Sequence, residues 1–600
     1  AGRRSQLDGP KPVVEANKIF LLLERLHVTS EKRATFGLQL VVGEVGEANS
    51  GGKRITWDAE SPLEEMVNSQ LTMRSWSQFQ GSNGRGVLMR DATIVFPLVA
   101  VKADGKKVCT VIYSKDNGGT WQFPAKGSAV EDCSDPNLLE WEGQLLMVAT
   151  HATHHKRVYA SSDVGETWME LSGTHSNVLS EAMKAAPTGS RVDIVTATIG
   201  GRQVILFTVL GLFADGRRGK DALHLYMTDM TRFYPLGPIS DADGAVKTSS
   251  SLLYANDELF ALYDRKAGAA SVVALTHLSA QLEEIKRVLR TWDAVDEKVA
   301  RLCGSAGKGG VAAGSACSPP VPTAGLVGFL SGGGDSEIWE NEYLGANASV
   351  SGAAARVDGG VRFKGGTAAG EWRVGNRWKN HRFHFVKDNF TLVATVTIET
   401  EPSGGGSPVP VLGVRGGGGE ARLMELSYTA DRKWAATFSG ATAQVGGGAW
   451  ERNRAHQVAL VLQDGSGSAW VDAQALGSPV RLHAAGAAGL EVSQFDFMGG
   501  DRAGTGNGQV TLTNVLLYNR PLSAAELQLF VPRGGQTGAG SRAGAEDGAP
   551  GTADSAAHPP AEAPAPGRGE EAPTPSPPAR RGPAREAAPV TPMAQPPLRR

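Results

Sequence analysis

One eight-residue pattern occurs twice in this chain and restricts the folds available to it. Residues 114–121 read SKDNGGTW and residues 161–168 read SSDVGETW, so both match S-x-D-x-G-x-T-W at an interval of 47 residues. The matching residues are Ser114, Asp116, Gly118, Thr120 and Trp121 in the first copy and Ser161, Asp163, Gly165, Thr167 and Trp168 in the second. In such a turn Asp bonds backbone amides, Gly supplies a positive φ and Trp packs beneath. Propeller blades recur at about 40–50 residues, so the repeat predicts a β-propeller.

Short apolar segments bounded by turn-forming residues surround the repeat, from Pro12 to about Thr276. Examples are 18–23 (KIFLLL), 92–99 (ATIVFPLV), 144–149 (QLLMVA) and 203–208 (QVILFT). Segments of this length that are rich in branched and aromatic residues predict strands. We therefore assign residues 1–276 to the propeller.

The hydrophobic pattern changes to a helical period between Leu278 and Leu302. Its apolar residues are Leu278, Leu282, Ile285, Val288, Leu289, Trp292, Val295, Val299 and Leu302, with charged residues between them. This stripe predicts one long amphipathic helix packed on a core, which we place at 277–305 as the link between two domains. Long alternating strands then resume, at 324–330, 390–398, 456–462 and 509–518, and predict an antiparallel β-sandwich over 306–532.

The remaining segment, 533–600, consists mainly of Gly, Ala, Pro, Ser and Glu. It cannot bury enough apolar surface to offset the entropy of ordering, so we expect it to be disordered. The chain starts AGRRSQLDGP and ends PMAQPPLRR, and we interpret both ends as trimmed or fragmentary. The formal net charge of -2 gives no electrostatic reason to expect a nucleic acid partner. No segment approaches the roughly 20 apolar residues of a transmembrane helix.

Four cysteines and two N-glycosylation sequons are relevant to whether the chain is secreted. Cys303 and Cys317 flank a Gly/Ala loop, and we expect a local disulfide between them; Cys109 and Cys133, which bracket a predicted hairpin, are candidates for a second. Four reduced, buried thiols are the alternative. Asn347 and Asn389 each begin an Asn-x-Ser/Thr triplet and are glycosylation acceptors if the chain is secreted.

Three further segments resemble a known family. They are CSDP at 133–136, EWEG at 140–143 and VTLTNVLLYNR at 510–520. The last resembles V-T-V-x-N-V-x-L-Y-N-R, a signature of the trans-sialidase superfamily of trypanosomes, and departs from it only at Leu512. Over residues 12–532 this resemblance implies an all-β fold with a six-bladed sialidase-type propeller whose turns are called Asp boxes, a linking α-helix and a concanavalin-like lectin β-sandwich. We expect the propeller here to be incomplete and the tail disordered.

The resemblance also implies which positions would carry sialidase chemistry. Active members use a Tyr nucleophile, a Glu that activates it, an Asp acid/base and three arginines that bind the sugar carboxylate; the Tyr is an exception to the two-carboxylate rule. Asp135 stands at the position of the activating Glu, and Thr150 at that of the second arginine. Lys220 stands at the position of the third arginine, and Ser249, or Thr248, at that of the nucleophile. The first arginine and the acid/base Asp belong to opening blades, and no R-I-P motif occurs here. Because Lys binds as a point charge where Arg makes two bonds, this set predicts an inactive enzyme.

These observations predict a non-enzymatic surface glycoprotein, at the cell surface or secreted, that binds a host cell-surface protein or glycan in adhesion or immune evasion. In the family the region matching 510–520 is associated with host-cell binding; its candidate residues here are Val510, Asn514, Val515, Leu517, Tyr518, Asn519 and Arg520. We expect the apolar members to lie in the core and Tyr518, Asn519 and Arg520 to be exposed. The alternatives are an active or residually active exo-α-sialidase and a glycan-binding lectin. The family implies a lipid anchor, for which this chain carries no signal.

Other candidate sites are weaker. His151, His154 and His155 lie close together in sequence but have no carboxylate or Cys at ligand spacing, so an exposed loop is the better interpretation. Asp241 and Asp243 lack the distal Glu of a calcium loop. Glycine-rich stretches near Gly416 and Gly504 do not lie between a strand and a helix, as a phosphate loop would. We therefore expect no metal, no cofactor and a monomer.

Overall fold

A computed structural model describes the chain as an all-β protein with a few helices. It describes residues 4–28, 34–47, 52–58, 61–80, 84–125, 129–152, 156–171, 193–210, 222–240, 246–267, 270–302, 319–374, 389–402, 408–416, 421–439, 444–483, 492–499 and 508–531. Several predictions fall elsewhere: the Cys303–Cys317 disulfide, Lys220, His154, His155, the Asp241/Asp243 loop, Gly504 and the 533–600 tail all lie outside the described residues.

Five antiparallel sheets, which we call blades 1 to 5, follow one another along the first half of the chain. Blade 1 contains β1 (Arg4–Glu15), β2 (Lys18–Val28), β3 (Ala34–Glu47), β4 (Lys53–Trp57) and β5 (Ser61–Pro62). Helix α1 (Glu64–Arg74) leads into blade 2, which contains β6 (Trp76–Gln80), β7 (Val87–Leu88), β8 (Ile94–Lys102), β9 (Lys107–Ser114) and β10 (Val130–Glu131). The predicted succession of short strands is confirmed.

The other three blades are more regular. Blade 3 contains β11 (Cys133–Trp141), β12 (Gln144–His151), β13 (Lys156–Ser161) and β14 (Met169–Glu170). Blade 4 contains β15 (Ile194–Ile199), β16 (Arg202–Leu210), β17 (Leu223–Thr228) and β18 (Phe233–Pro238). Blade 5 has three strands, β19 (Val246–Ala255), β20 (Glu258–Ala267) and β21 (Ala270–His277). The described residues thus form five blades.

Each Asp box closes a turn and also contacts the preceding blade. The carboxylate of Asp116 accepts bonds from the Thr120 amide (2.8 Å) and hydroxyl (2.7 Å) and from the Ser114 hydroxyl (2.8 Å). Gly118 has φ +83°, and a Cβ there would lie 2.3 Å from the Phe20 ring of blade 1. Trp121 also packs on Phe20, with ring centroids 6.4 Å apart. The predicted turn chemistry is confirmed, and the turn joins blade 2 to blade 1.

The second Asp box repeats this arrangement one blade later. Asp163 accepts from the Thr167 amide (2.8 Å) and hydroxyl (2.7 Å). A Cβ on Gly165 would lie 2.7 Å from Val111 of blade 2. A disulfide between Cys109 of β9 and Cys133 of β11 joins the same two blades. The pairing is as predicted, but the two cysteines connect neighbouring blades and do not bracket a hairpin.

The predicted linking helix is confirmed as α2 (Ser279–Ala300). Its buried stripe is Leu282, Ile285, Val288, Leu289, Trp292, Val295 and Val299, and it shares one hydrophobic cluster with blades 4 and 5 and with the C-terminal domain. In the described part of the chain, no helix is both long and apolar enough to cross a bilayer.

The described residues of the C-terminal domain form seventeen strands and a short helix. The strands are β22 (Leu326–Gly334), β23 (Ile338–Asn341), β24 (Ala348–Ser351), β25 (Ala354–Val357), β26 (Gly360–Lys364), β27 (Ala369–Arg373), β28 (Phe390–Ile398), β29 (Val409–Gly416), β30 (Ala421–Tyr428), β31 (Lys433–Phe438), β32 (Gln444–Ala449), β33 (Ala455–Gln463), β34 (Ser466–Val471), β35 (Gln474–Ala475), β36 (Val480–Arg481), β37 (Val492–Phe497) and β38 (Gln509–Tyr518). Helix α3 (Ala524–Gln528) follows, with a capping box between Ser523 and Glu526.

Strand pairing arranges this domain as two sheets around an apolar core, as predicted for a sandwich. Sheet I has the order β24-β27-β37-β29-β30-β31-β32. Sheet II has the order β25-β26-β38-β28-β33-β34. β22 and β23 connect the two, because β22 pairs with β38 and β23 with β24. The core between them includes Trp339, Trp372, Trp434 and Trp450, each 0% exposed.

Arg232, in the turn between β17 and β18, joins the propeller to the helix and the sandwich. Its guanidinium lies 2.6 Å from Asp296 of α2 and 3.3 Å from Asp229 of the same turn. Its Nε donates to the Leu326 carbonyl at the start of the sandwich (2.9 Å). The ring of Tyr343 lies beneath the guanidinium, 4.2 Å from its centroid. One buried cation therefore contacts three parts of the fold.

The 510–520 segment corrects one prediction. The apolar members are buried as expected, but Tyr518 is 0% and Asn519 2% exposed, and Arg520 is only partly exposed. Tyr518 donates its hydroxyl to the Pro322 carbonyl (2.8 Å), and Asn519 donates to the Thr231 carbonyl of blade 4 (3.3 Å). Arg520 pairs with Glu526 at 2.6 Å. Their exposure was predicted wrongly because this strand end contacts the propeller, a contact that strand periodicity does not encode.

Replacing Arg232 with Met should lower the free energy of unfolding by about 3 kcal/mol, because Asp296 would lose a guanidinium 2.6 Å away and the Leu326 carbonyl its side-chain donor, while Arg202 would still pair with Asp229 at 2.7 Å. Urea unfolding followed by circular dichroism measures the change. Arg301→Met is the matched control, since Arg301 and its partner Glu297 are both 71% exposed, and its effect should stay within about 0.5 kcal/mol. Equal effects of the two substitutions would contradict this role for Arg232.

Candidate functional site

The positions that match the family's catalytic residues lie on blades 3 to 5. Asp135 is an exposed residue in β11 with φ +48°, at a register irregularity between Ser134 and Asn137. Thr150 lies on β12 opposite Ser134. Of Ser249 only the backbone position in β19 is described. The structure therefore places Asp135 and Thr150 beside each other on blade 3 and Ser249 on blade 5.

Lys156 supplies the cation on blade 3 next to these two positions. It stands opposite Thr150 on β13, and its ammonium donates to the Thr150 hydroxyl at 2.8 Å. Burial lowers the pKa of Lys156, and the nearby Asp135 carboxylate opposes that shift. Lys156 begins strand β13 and is partly buried.

The nucleophile position on blade 5 holds Ser249, and the phenol opposite its neighbour Ser250 is Tyr263 of β20, whose hydroxyl accepts from Thr276 at 3.3 Å. Ser250, next to Ser249, shares a 2.7 Å hydrogen bond with the Thr208 hydroxyl of β16. Tyr254 lies further along the same strand, but its hydroxyl donates to Asp257 (3.0 Å) at the turn. Burial raises the pKa of Tyr254. This strand therefore presents no activated phenol near Ser249.

Arg85 and Asp193 form an ion pair that sequence analysis did not identify. Their charged atoms lie 3.5 Å apart, and Arg85 also donates to the Leu252 carbonyl at 3.0 Å. Asp193 accepts from the Leu252 amide and from Ser251. Burial raises the pKa of Asp193, against the effect of Arg85. The pair connects three places: the segment just before β7, the residue just before β15, and strand β19. No periodic pattern in the sequence indicates this ion pair.

Arg85 of this pair also lines a cavity of about 680 Å³ that residues of all five blades form. Its walls come from β1, β7, β11, β15 and the three strands of blade 5: Pro12, Val13, Val14, Gly86, Val87, Leu88, Leu138, Leu139, Ile194, Val195, Thr196, Ser251, Leu252, Leu253, Tyr254, Phe260, Leu262 and Leu275. The lining is mostly aliphatic, so it offers few groups that could stabilise a charged transition state.

The other predicted sites are distributed as follows. Asn347 is exposed, and Asn389 is partly exposed while Thr391 of its sequon is 0% exposed. His151 ends β12. Within the described ranges, no three His, Cys, Asp or Glu side chains are grouped as metal ligands would be.

The pH dependence of stability should reveal the partly buried Lys156. Its folded pKa is lowered from 10.5, so the folded chain binds this proton less tightly than the unfolded chain does, and the resulting penalty disappears as pH rises towards 10.5. Lys156→Met should therefore unfold at higher urea than the parent at pH 7, with the difference shrinking near pH 10. Lys107→Met, at an exposed position of β9, should show no such trend. A difference for Lys156→Met that grows with pH would contradict the burial argument.

Comparisons with known proteins agree with this architecture. Residues 322–525 match the trans-sialidase C-terminal domain family, and residues 1–264 match the BNR repeat-like domain family. Sialidase 85-1.1 of Trypanosoma cruzi is 35% identical over 549 residues, which cover 87% of this chain and 69% of that protein. A second T. cruzi sialidase is 29% identical over 526 residues, 86% of this chain and 45% of that protein. The crystallised Trypanosoma rangeli sialidase has 32% identity and a TM-score of 0.74, over 88% of this chain and 84% of its own.

Proposed function

The chain belongs to the trans-sialidase superfamily, and we propose that it is a catalytically inactive member that acts as a surface glycoprotein in adhesion to host cells or in immune evasion. One observation carries the first part of this proposal. Where the family resemblance implies an arginine for the substrate carboxylate, Thr150 accepts a hydrogen bond from Lys156. A lone ammonium, partly neutralised by Asp135, cannot reproduce the two parallel bonds of a guanidinium.

The remaining catalytic positions support the same conclusion. The position of the activating Glu holds the shorter Asp135, and the position of the nucleophile holds Ser249. When several groups act together in catalysis, one remaining group does not restore the rate that the others supplied. An active or residually active sialidase is therefore the weaker alternative.

The proposed role in adhesion or immune evasion is supported by other observations. The buried Tyr518 and Asn519 leave the 510–520 strand unsuited to contact a host cell through these two side chains. The adhesive surface is therefore expected on other parts of the molecule, with Asn347 as an exposed acceptor for a glycan. A T. cruzi protein named trypomastigote decay-accelerating factor is 41% identical over 73 residues, 12% of this chain and 77% of that protein; its name favours immune evasion as one form of the proposed role.

The catalytic part of the proposal is tested by turnover of a fluorogenic sialoside. The full 600-residue chain should release fluorophore no faster than buffer, with T. rangeli sialidase as the active control run beside it. Ser249→Tyr should not restore turnover, because the carboxylate clamp would still be incomplete. Release above the buffer rate by the unmodified chain would contradict inactivity.

We also infer that a sixth blade lies between blades 5 and 1 in the complete propeller. Leu253, Leu262 and Leu275 on one face of blade 5 are 55%, 43% and 69% exposed, and Val14 of blade 1 is 57% exposed. Leu262 and Leu275 are direct partners on neighbouring strands, so the exposure forms a continuous patch. Patches of this kind mark surfaces that another element covers.

A double substitution tests whether this face is uncovered in the present chain. Leu262→Ser with Leu275→Ser should change the free energy of unfolding by no more than about 0.5 kcal/mol, because both side chains are solvated, and should reduce binding of a hydrophobic dye. Leu259→Ser, at a position of β20 that is 0% exposed, should cost about 2–5 kcal/mol. A loss in the double variant as large as that in Leu259→Ser would show that the face is already covered.

A further inference from the structure

The Asp box of blade 2 contains a pair of residues whose reactivity is controlled by the turn. The chain has three Asn-Gly pairs, at 83–84, 117–118 and 507–508, and the first and last of these asparagines lie outside the described residues. In an Asn-Gly pair the glycine has no side chain to shield its backbone nitrogen, so that nitrogen can attack the asparagine carboxamide. The equivalent position in the second Asp box holds Val164, which has no carboxamide. Of the two boxes, only the first can therefore react in this way.

The reaction exchanges bonds within the chain and uses only water. The Gly118 nitrogen loses its proton to hydroxide and bonds to Cγ of Asn117. The carboxamide nitrogen takes a proton from water and leaves as ammonia, and a five-membered succinimide remains. Water then adds to one of the two ring carbonyls and opens the ring. One product is aspartate, and the other is isoaspartate, in which the backbone runs through the former side chain and is longer by one methylene group.

The folded box holds the nitrogen that this reaction needs. The Gly118 amide donates to the Ser114 hydroxyl at 2.9 Å, and that hydroxyl donates to the Asp116 carboxylate at 2.8 Å. The Gly119 amide donates to the Asp116 carbonyl at 3.2 Å, so the turn is fixed on both sides of Gly118. Asn117 has φ +53° and is exposed, so water and hydroxide reach its carboxamide. The hydrogen bonds of the turn, and not a lack of access, therefore restrain the reaction.

We propose that Asn117 is a site of spontaneous deamidation that the Asp box suppresses in the folded chain and that reacts when the turn opens. A hydrogen-bonded amide gives up its proton in the fraction of time in which its bond is broken. The rate at Asn117 therefore reports the opening of this one turn. The site does not depend on whether the propeller is catalytically active, so the two proposals can fail independently.

Isoaspartate at this position would separate blade 2 from blade 1. Gly118 has φ +83°, and a Cβ there would lie 2.3 Å from the Phe20 ring, so the backbone of the turn is already packed tightly against blade 1. Trp121 of the same box also packs on Phe20. An added methylene group before Gly118 displaces the glycine from both Ser114 and Phe20. Because the ammonia is lost, the amide does not form again, and modified chains accumulate with time.

The test follows the peptide that contains Asn117 by mass spectrometry while the full chain is incubated at about pH 8, either folded or in urea. We expect the folded chain to gain one mass unit at Asn117 roughly tenfold more slowly than the unfolded chain, because the turn must open first. Ser114→Ala should raise the rate in the folded chain about fivefold, because it removes the acceptor of the Gly118 amide. The same substitution should leave the rate in urea unchanged.

Ser161→Ala is the matched control, because it makes the same change in the second box, where the Ser161 hydroxyl accepts from the Gly165 amide at 2.7 Å. It should not alter the rate at Asn117. The proposal is overturned if the folded and unfolded rates are equal, if Ser114→Ala leaves the folded rate unchanged, or if Ser161→Ala raises that rate as much as Ser114→Ala does.

A substitution in the second box keeps the test decisive if Ser114→Ala does not fold. Val164→Asn introduces the missing pair at a position with φ +56°, and its deamidation should be as strongly suppressed in the folded chain as that of Asn117. Adding Ser161→Ala to this variant should raise the rate at position 164. An equal rate with and without Ser161→Ala would overturn the proposal.

The effect of the product is measured on chains aged in urea and then refolded. Chains with isoaspartate at position 117 should melt at a lower temperature than fresh chains, because the contact between blades 1 and 2 is lost. Asn117→Val, which carries the residue type of the second box, should lose less when it is aged and refolded in parallel. Equal losses in the two would contradict the effect assigned to isoaspartate.

Discussion

The Arg232 cluster is the interaction on which the arrangement of this molecule depends. A guanidinium that is only 5% exposed needs its charge balanced, and Asp229 and Asp296 supply that balance from blade 4 and from the helix. Tyr343 of the C-terminal domain stacks on the cation and also donates to Asp296 at 2.6 Å. Asp229 also pairs with Arg202 at 2.7 Å, so Arg232 connects propeller, helix and sandwich through Asp296, Tyr343 and the Leu326 carbonyl.

The contact between sandwich and propeller gives a structural reason for the most specific sequence motif in the chain. The V-T-L-T-N-V-L-L-Y-N-R segment ends where sandwich and propeller meet, and Tyr518 and Asn519 bond to backbone carbonyls on both sides of that contact. The fold alone therefore requires these residue types at these positions. The same holds for the Asp boxes, whose glycines and tryptophans pack one blade against the preceding blade. Both motifs indicate ancestry and fold, and neither requires catalysis.

The sequence predicted those features that are determined by interactions between residues close together in the chain. The Asp-box turns, the amphipathic helix at Ser279–Ala300 and the alternating strands depend on residues close in the chain. It did not identify Lys156 beside Thr150, the Arg85–Asp193 pair or the burial of Tyr518, because these depend on contacts between strands or domains. The Arg85–Asp193 pair spans more than a hundred positions and has no spacing rule.

We propose that the fold of a sialidase is retained here without its chemistry. T. rangeli sialidase has been crystallised with 2,3-difluorosialic acid as a covalent intermediate, so the same reagent reports directly on a competent nucleophile. Intact-mass spectrometry of this chain after incubation with 2,3-difluorosialic acid should show only the unmodified mass, while T. rangeli sialidase gains one sugar adduct. A stoichiometric adduct on this chain, located at Ser249 or at any other residue of the propeller, would contradict the account.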